Sequence, residues 1–425
     1  MPRLIYTLVI IALLPWAIVH LLWRARRQPE YLHHWGERFG LFVATQSLPT
    51  IWIHAVSVGE TRAAQPLVTA LRVKYPNDRI LFTHMTPTGR ATSVDLYGDA
   101  VERIYLPYDT PWAMRHFLRH FQPRIGIIME TELWPNLVAQ CRSAGVPLLL
   151  ANARLSDRSA ARYTQFAALT RLTLGALTYV GAQSAGDAER LRTLGATTLT
   201  VTGNLKFDID PPADQLTLAD AFRTRFGHRP VWLAASTREG EETLILDAWR
   251  KVDGGSTALL VIVPRHPQRF DTVVRLAVER GFSVQRRSDE KPVATETTVL
   301  IGDSMGEMFA WYAAADVAFI GGSLLEYGSQ NLIEACAVGV PVLIGPSTYN
   351  FSEAAREAKR AGAALGVRDA DELIEQVQKL LVDASQRQNM GATGRAFAQQ
   401  HRGATQRTLA LIETTLSENQ SPLPS

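Results

Sequence analysis

Short apolar runs alternate with amphipathic stretches along almost the whole chain, and the alternation is broken once, at Asp208-Ile-Asp-Pro-Pro-Ala-Asp214. Before the break, Ile51–Val56, Arg79–His84, Arg124–Met129, Pro147–Asn152, Tyr179–Ser184 and Thr198–Thr202 read as strands. After it come Val231–Ala235, Ala258–Val263, Phe282–Val284, Thr298–Ile301, Val317–Ile320 and Val342–Ile344, again with helical stretches between. Runs that are apolar throughout are buried on both faces, and strands that alternate with helices pair in parallel. Two proline residues flanked by acids then read as a linker. The pattern predicts an α/β protein of two doubly wound, parallel-sheet domains facing across a cleft.

The 425-residue length is too great for one core and agrees with two domains. A formal charge of +3 gives no basis for expecting nucleic acid as a partner. The two cysteines, Cys141 and Cys336, lie in apolar helical patterns, so neither a disulfide framework nor a paired-cysteine metal site can be built.

Leu4–Trp23 carries no charged side chain, and a helix of about 20 residues is what crosses a bilayer core. Arg24, Arg26 and Arg27 follow directly, without a small-residue cleavage site, which favours an uncleaved anchor over a signal peptide. Their excess over Arg3 puts the C-terminal side in the cytoplasm, so the body is expected on the inner face of the membrane. Residues 24–49, basic and aromatic, suit either an anionic membrane surface or an amphipathic helix packed on the body. The domain expectation is therefore an anchor with basic flank at 1–27, a first α/β domain at 28–206, a linker at 207–228, a second α/β domain at 229–400, and a C-terminal helix and frayed tail at 401–425.

Ligands of open α/β sheets bind beyond the carboxyl ends of strands, so polar residues there carry most weight. The stretch Val317–Pro346 joins a strand, a loop with Gly321, Gly322 and Gly328, a helix from about Asn331, and a second strand. A phosphate could lie at that helix start, and Glu334 could accept from a ribose diol; an ordinary tight β–loop–α–β unit is the other reading. Glu60, in His54-Ala-Val-Ser-Val-Gly-Glu60, is either a general base or an acidic first-turn residue favouring the helix dipole. Glu130 and Glu132, in Met129-Glu-Thr-Glu-Leu-Trp-Pro-Asn136, are either catalytic or caps of the next helix together with Thr131. Lys206, in Gly203-Asn-Leu-Lys-Phe-Asp208, could meet a phosphate or a developing anion, or be simply solvated. Arg265 and Arg269 offer anion contacts, and Ser304-Met-Gly306 places backbone N–H groups at another helix start. His266 has no partner at metal-ligand spacing and counts as a polar contact.

Taken in order, His54–Glu60, Met129–Asn136, Ala151-Asn-Ala-Arg-Leu-Ser156, Gly203–Asp208, Pro264-Arg-His266, Gly302-Asp-Ser-Met-Gly-Glu307 and Gly321-Gly-Ser-Leu324 resemble the 3-deoxy-D-manno-octulosonic acid (Kdo) transferases of lipopolysaccharide synthesis. The resemblance covers nearly the whole chain. It implies the GT-B fold of two Rossmann-like domains, and an inverting transfer of Kdo from CMP-Kdo to a membrane-embedded lipid A precursor, with no metal or other cofactor. By motif it makes Glu60 the base and places Glu130 and Lys206 where the transition state is stabilised. Donor contacts fall on Pro264 and Arg265, on Met305, Gly306 and Glu307, and on Asn331, Leu332, Ile333 and Glu334. A UDP-sugar transferase or epimerase of the same fold, or a silent nucleotide-binding scaffold, are the alternatives. One departure stands out: many members have Gly-Gly-His-Asn where this chain has Gly328-Ser-Gln-Asn331. Gln330 can hydrogen-bond but carries no charge, and Ser329 implies a conventional φ or strain.

Overall fold

The computed structural model describes residues 1–43, 48–208, 210–252 and 257–418. Residues 44–47 of the basic juxtamembrane piece, Ile209 of the expected linker and 419–425 of the frayed tail lie outside the described residues. The chain divides into two compact units, Met1–Asp208 with Arg402–Ser425, and Ile209–His401.

The first unit carries a parallel sheet of seven strands: β1 (Thr50–His54), β2 (Arg79–His84), β3 (Glu102–Tyr105), β4 (Pro123–Met129), β5 (Leu148–Ala153), β6 (Tyr179–Ala182) and β7 (Leu199–Val201). Their order across the sheet is β3-β2-β1-β4-β5-β6-β7. Alternation within β1 shows why both faces must be covered. Trp52 packs into one cluster with Phe117 and Leu137, and Ile51 and Ile53 into another with Leu67 and Ile412. Ile412, Leu409 and Leu416 belong to the C-terminal helix Ala404–Glu418, which therefore completes this unit's core. Burying each such side chain stabilises by roughly 1.5–3 kcal/mol. Asp208, the last residue before the chain leaves, accepts from Gly403 N at 2.8 Å and Thr405 N at 2.6 Å on its return.

The second unit repeats the plan with β8 (Val231–Thr237), β9 (Leu259–Pro264), β10 (Val284–Arg286), β11 (Val299–Ile301), β12 (Val317–Ile320), β13 (Val342–Ile344) and β14 (Ala364–Gly366). The order is β10-β11-β9-β8-β12-β13-β14, all parallel. Directly after β12 comes Gly321, where an added Cβ would lie 2.6 Å from the carbonyl oxygens of both Ala235 and Ser236. Those atoms are backbone and cannot swing aside. Gly321→Ala is expected to lower stability by about 1–3 kcal/mol, read as a fall in the urea midpoint without a change in slope.

Several expectations need correction. Most of residues 207–228 is not a linker: Ala213–Phe226 is a helix whose Phe222 ring packs at a tilt against Trp311, centroids 4.2 Å apart, while Arg223 pairs with Asp316 at 3.0 Å. Prolines 211 and 212 precede that helix, where a missing N–H costs nothing. In place of the continuous helices expected from Glu60 to Tyr75 and from β5 to about Ala176, Val58–Ala63 and Gln65–Lys74 meet at Ala64, and Asp157–Thr164 is separate from Ala167–Leu174. Residues 24–43 form no amphipathic helix after Ala25 but two 3-10 turns, Pro29–Leu32 and Trp35–Phe39. Arg38 there is buried, with its guanidinium 3.9 Å from the Tyr105 ring centroid, so this arginine is not offered to a membrane surface.

The N-terminal helix runs Pro2–Ala25 through Pro15, and its best window has a mean hydropathy of 2.3, long and apolar enough to cross a membrane. It also hydrogen-bonds to its own unit, Tyr6 to Asp109 and Thr7 to Asn136, both at 2.9 Å.

Candidate active site

The candidate residues fall in two sets, one at the carboxyl edge of each sheet. In the first unit, β1 ends at His54 and turns into the helix Val58–Ala63. Ser57 caps that helix, accepting from Glu60 N at 3.2 Å, and its hydroxyl donates to Glu60 Oε1 at 2.7 Å. Val56 N donates to Glu60 Oε2 at 2.7 Å. The carboxyl is 7% exposed. Burial pushes it up to about 7, against the Ser57 and Val56 hydrogen bonds, and the negative charges of Glu130 and Glu132 push the same way. Glu60 is thus both a first-turn cap and a carboxyl tuned to gain and lose a proton near neutrality.

Glu130 directly follows β4, the neighbour of β1. Its φ is +56°, a left-handed conformation that costs a non-glycine residue on the order of 1–3 kcal/mol. Lys206 Nζ lies 3.1 Å from Glu130 Oε1, across 76 positions of sequence, and each side chain is about a quarter exposed. Neither Glu130, Thr131 nor Glu132 caps the helix Pro135–Ser143. Asp109 does, accepting from Asn136 N at 3.0 Å and Leu137 N at 2.8 Å. Thr131 instead bonds to the carbonyl of Arg154. Burial holds Glu132 above the usual carboxylate range, with Glu130 adding to it.

Asn152 is the residue that sequence reasoning passed over. It lies buried at the end of β5 with φ +56°, beside a break in the β5–β6 register. Its Oδ1 accepts from Leu205 N at 3.0 Å, and Asn204 Oδ1 accepts from Lys206 N at 3.0 Å. Those two bonds fix the 3-10 turn Leu205–Phe207 and so deliver the lysine to Glu130. An asparagine within an apolar strand was the available signal, because such a residue must spend its amide on something.

In the second unit, the expected donor residues end or follow β9 (Pro264, Arg265) and follow β11 (Met305, Gly306, Glu307) and β12 (Asn331–Glu334). Asn331 Oδ1 accepts from Ile333 N at 3.0 Å and its Nδ2 donates to Glu334 Oε1 at 3.1 Å. Burial raises the Glu334 carboxyl, opposed by the Asn331 amide and the charge of Arg265. The helix begins at Ile333, not Asn331, and is six residues long, so its dipole is weaker than the sequence implied. Leu332 and Ile333 are fully buried, backbone included, so neither offers an open contact to a ligand in this structure. Gly306 has φ +80°, Met305 is 55% exposed, and Glu307 pairs with Arg287 at 3.1 Å. Ser329 has φ +69° while buried, so the strained alternative holds.

Arg269 is not an open anion contact: it is tied to the buried Glu242 at 3.0 Å and to Glu239 at 3.5 Å. The neighbouring Glu241, also buried, accepts from Arg238 N at 2.8 Å, Gly322 N at 2.6 Å and Leu324 N at 2.9 Å. It clamps the glycine-rich loop after β12 to the start of the helix after β8. Among the described residues no cluster of three His, Cys, Asp or Glu side chains is placed to hold a metal ion.

A family model described as 3-deoxy-D-manno-octulosonic-acid transferase (kdotransferase) matches residues 33–209, and one described as glycosyl transferases group 1 matches residues 244–397. The 3-deoxy-D-manno-octulosonic acid transferase of Bordetella pertussis is 43% identical over 98% of this chain and 100% of that protein. That of Haemophilus influenzae is 38% identical over 98% of this chain and 99% of that protein. Among solved structures, the UDP-GlcNAc 2-epimerase of Neisseria meningitidis superposes with a TM-score of 0.56 over 87% of this chain and 100% of that one. At 15% identity that likeness shows the fold alone, two Rossmann-like domains of the GT-B type. With both sheets parallel and doubly wound as the sequence predicts, and relatives matched from end to end, the chain is a glycosyltransferase that belongs to the Kdo transferase family.

Proposed function

We propose that the protein transfers Kdo from CMP-Kdo to a lipid A precursor, lipid IVA, in lipopolysaccharide synthesis, with inversion and without a metal ion. The observation that carries this reading is the buried Glu60 carboxyl, held by Val56 N and the Ser57 hydroxyl, on the sheet edge that also carries the Glu130–Lys206 pair. As the acceptor oxygen attacks the anomeric carbon, Glu60 takes the hydroxyl proton. The new carbon–oxygen bond forms opposite the bond to phosphate, whose electron pair leaves with CMP. One base and one displacement invert the anomeric centre. Lys206 supplies positive charge to the departing phosphate, and Glu130 both places that lysine and supports positive character at the anomeric carbon. Arg265, Asn331 and Glu334 hold the nucleotide, with Glu334 accepting from the ribose, and the positive charges of Lys206 and Arg265 do the work a metal would otherwise do.

Anchorage follows from the helix Pro2–Ala25, with the catalytic units on the cytoplasmic side of the inner membrane, where the acceptor lies. Entry into the bilayer requires Tyr6 and Thr7 to give up Asp109 and Asn136. The test uses the full-length enzyme in lipid with CMP-Kdo and lipid IVA, followed by mass spectrometry of the lipid. A mass increase of one or more Kdo units, undiminished by chelator and competed by CMP in preference to UDP, is expected; an unmodified lipid overturns the reading.

A further inference from the structure

We propose that Arg238 binds the carboxylate of the donor's sugar acid, a contact distinct from those that hold the nucleotide. The inference rests on the donor reading above and adds a residue to it.

Placement comes first. The donor residues follow β11, β9 and β12, and in the sheet β8 lies between β9 and β12. Arg238 is the residue directly after β8, so it stands in the middle of that row. Its backbone is fixed on both sides: Arg238 N donates to Glu241 Oε2 at 2.8 Å, and its carbonyl accepts from Glu241 N at 3.0 Å. The side chain reaches both flanking loops. Its guanidinium lies 4.7 Å from the Tyr327 ring centroid, and Nη1 is 2.8 Å from His266 Nε2. Its Cγ is 3.5 Å from where a Cβ on Gly322 would lie, with Gln330 Nε2 on the same glycine at 3.3 Å.

Charge comes second. Other arginines of this edge are neutralised: Arg269 by Glu239 and Glu242, Arg286 by Asp271, Arg287 by Glu290 and Glu307. Arg238 makes no ion pair within 4.0 Å among the described residues; an aromatic face and an imidazole hold it instead. A guanidinium has only donors, so His266 Nε2 accepts and the ring is neutral. Burial, with the charges of Arg238, Arg265 and Arg269, keeps the His266 pKa below its ordinary value. A positioned cation without a counter-charge is what a planar carboxylate pairs with in two parallel hydrogen bonds.

Chemistry selects the anion. Arg265, whose charge reaches Glu334, stands at the nucleotide end. A Kdo donor carries its carboxylate on the anomeric carbon itself, one bond from the oxygen that leaves with phosphate. The carboxylate therefore lies within one side chain of the phosphate position, where Arg238 stands beside His266.

The experiment compares Arg238→Ala and Arg238→Lys with the wild-type holoprotein, measuring the KM for CMP-Kdo and, by calorimetry, the Kd for CMP. Loss of a charge-assisted contact of this kind is expected to raise the KM for CMP-Kdo by about 10- to 100-fold, leave the Kd for CMP unchanged, and be partly restored in the lysine variant. An equal loss for both ligands assigns Arg238 to the phosphate and overturns the proposal, as does an unchanged KM. Arg238→Gln keeps the test in hand if the alanine variant fails to fold. Wild-type protein that does not bind CMP would instead sink the donor reading itself.

Discussion

Glu60→Gln is expected to lower Kdo transfer by about 10²–10⁴-fold and to leave CMP affinity unchanged, because in the proposed mechanism the residue acts on the acceptor's proton and on no donor group. Glutamine is isosteric. Its carbonyl can still accept from Val56 N, and Ser57 still caps the helix, so the fold is retained. The wild-type pH profile carries the same information. Only the ionised carboxyl accepts a proton, so kcat/KM for wild type rises with pH through a midpoint near the value of about 7 that burial sets. In Glu60→Gln that limb disappears along with the rate. A rate that stays flat across about pH 5.5 to 8.5, or a fully active glutamine variant, removes Glu60 from the role of base.

Glu60 is legible in the sequence because its determinants are local. Ser57 and Glu60 stand at capping spacing after an apolar run, and every hydrogen bond to the carboxyl comes from residues 56–57. Interior strands are legible for the same reason: Ile51–Ile53 and Val317–Ile320 are apolar on both faces and admit one environment. The edge strands β3 and β14 are not, since Glu102–Tyr105 is partly polar and Ala364–Gly366 is only three residues long. Two prolines hid the helix Ala213–Phe226, because the same residues that break a helix interior also suit the turn before one. The remaining determinants are long-range contacts. Asp109 caps a helix 27 residues away, Asn152 holds a turn 53 residues away, and Lys206 meets Glu130 over 76 residues. Nothing in a linear string orders such partners, although each is a polar residue that burial obliges to find one.

Left-handed residues mark the same places. Glu130, Asn152, Ser236 and Ser329 all have φ between +53° and +69°, and each lies at the carboxyl end of a strand or in the loop beyond it. Such backbone persists only where surrounding bonds over-determine it, as the Leu205 N–Asn152 Oδ1 bond does beside Lys206; His34, Gln122 and Glu290 are left-handed elsewhere. Stability is spent at the sheet edges where the chemistry is proposed.

Lys206→Met is expected to give the second large effect, a loss of about 10²–10³-fold in kcat, since in the proposed mechanism this lysine, paired at 3.1 Å with Glu130, supplies the charge that the leaving phosphate needs. Its pH profile separates a charge role from a structural one. Glu130 already helps to push the Glu60 carboxyl up. Without Lys206 the Glu130 charge has lost its partner, so Glu60 holds its proton more tightly and the midpoint of the residual rate moves to higher pH. Glu130→Gln removes that negative charge, and the midpoint moves to lower pH. In the double variant Lys206→Met with Glu130→Gln, the upward shift is abolished while the loss in kcat persists. Methionine fills the space of the lysine stem, so the thermal midpoint should change little. A Lys206→Met enzyme whose rate falls only in proportion to lost folded protein, with its pH midpoint unmoved, would show that the lysine serves the turn Leu205–Phe207 and not the reaction.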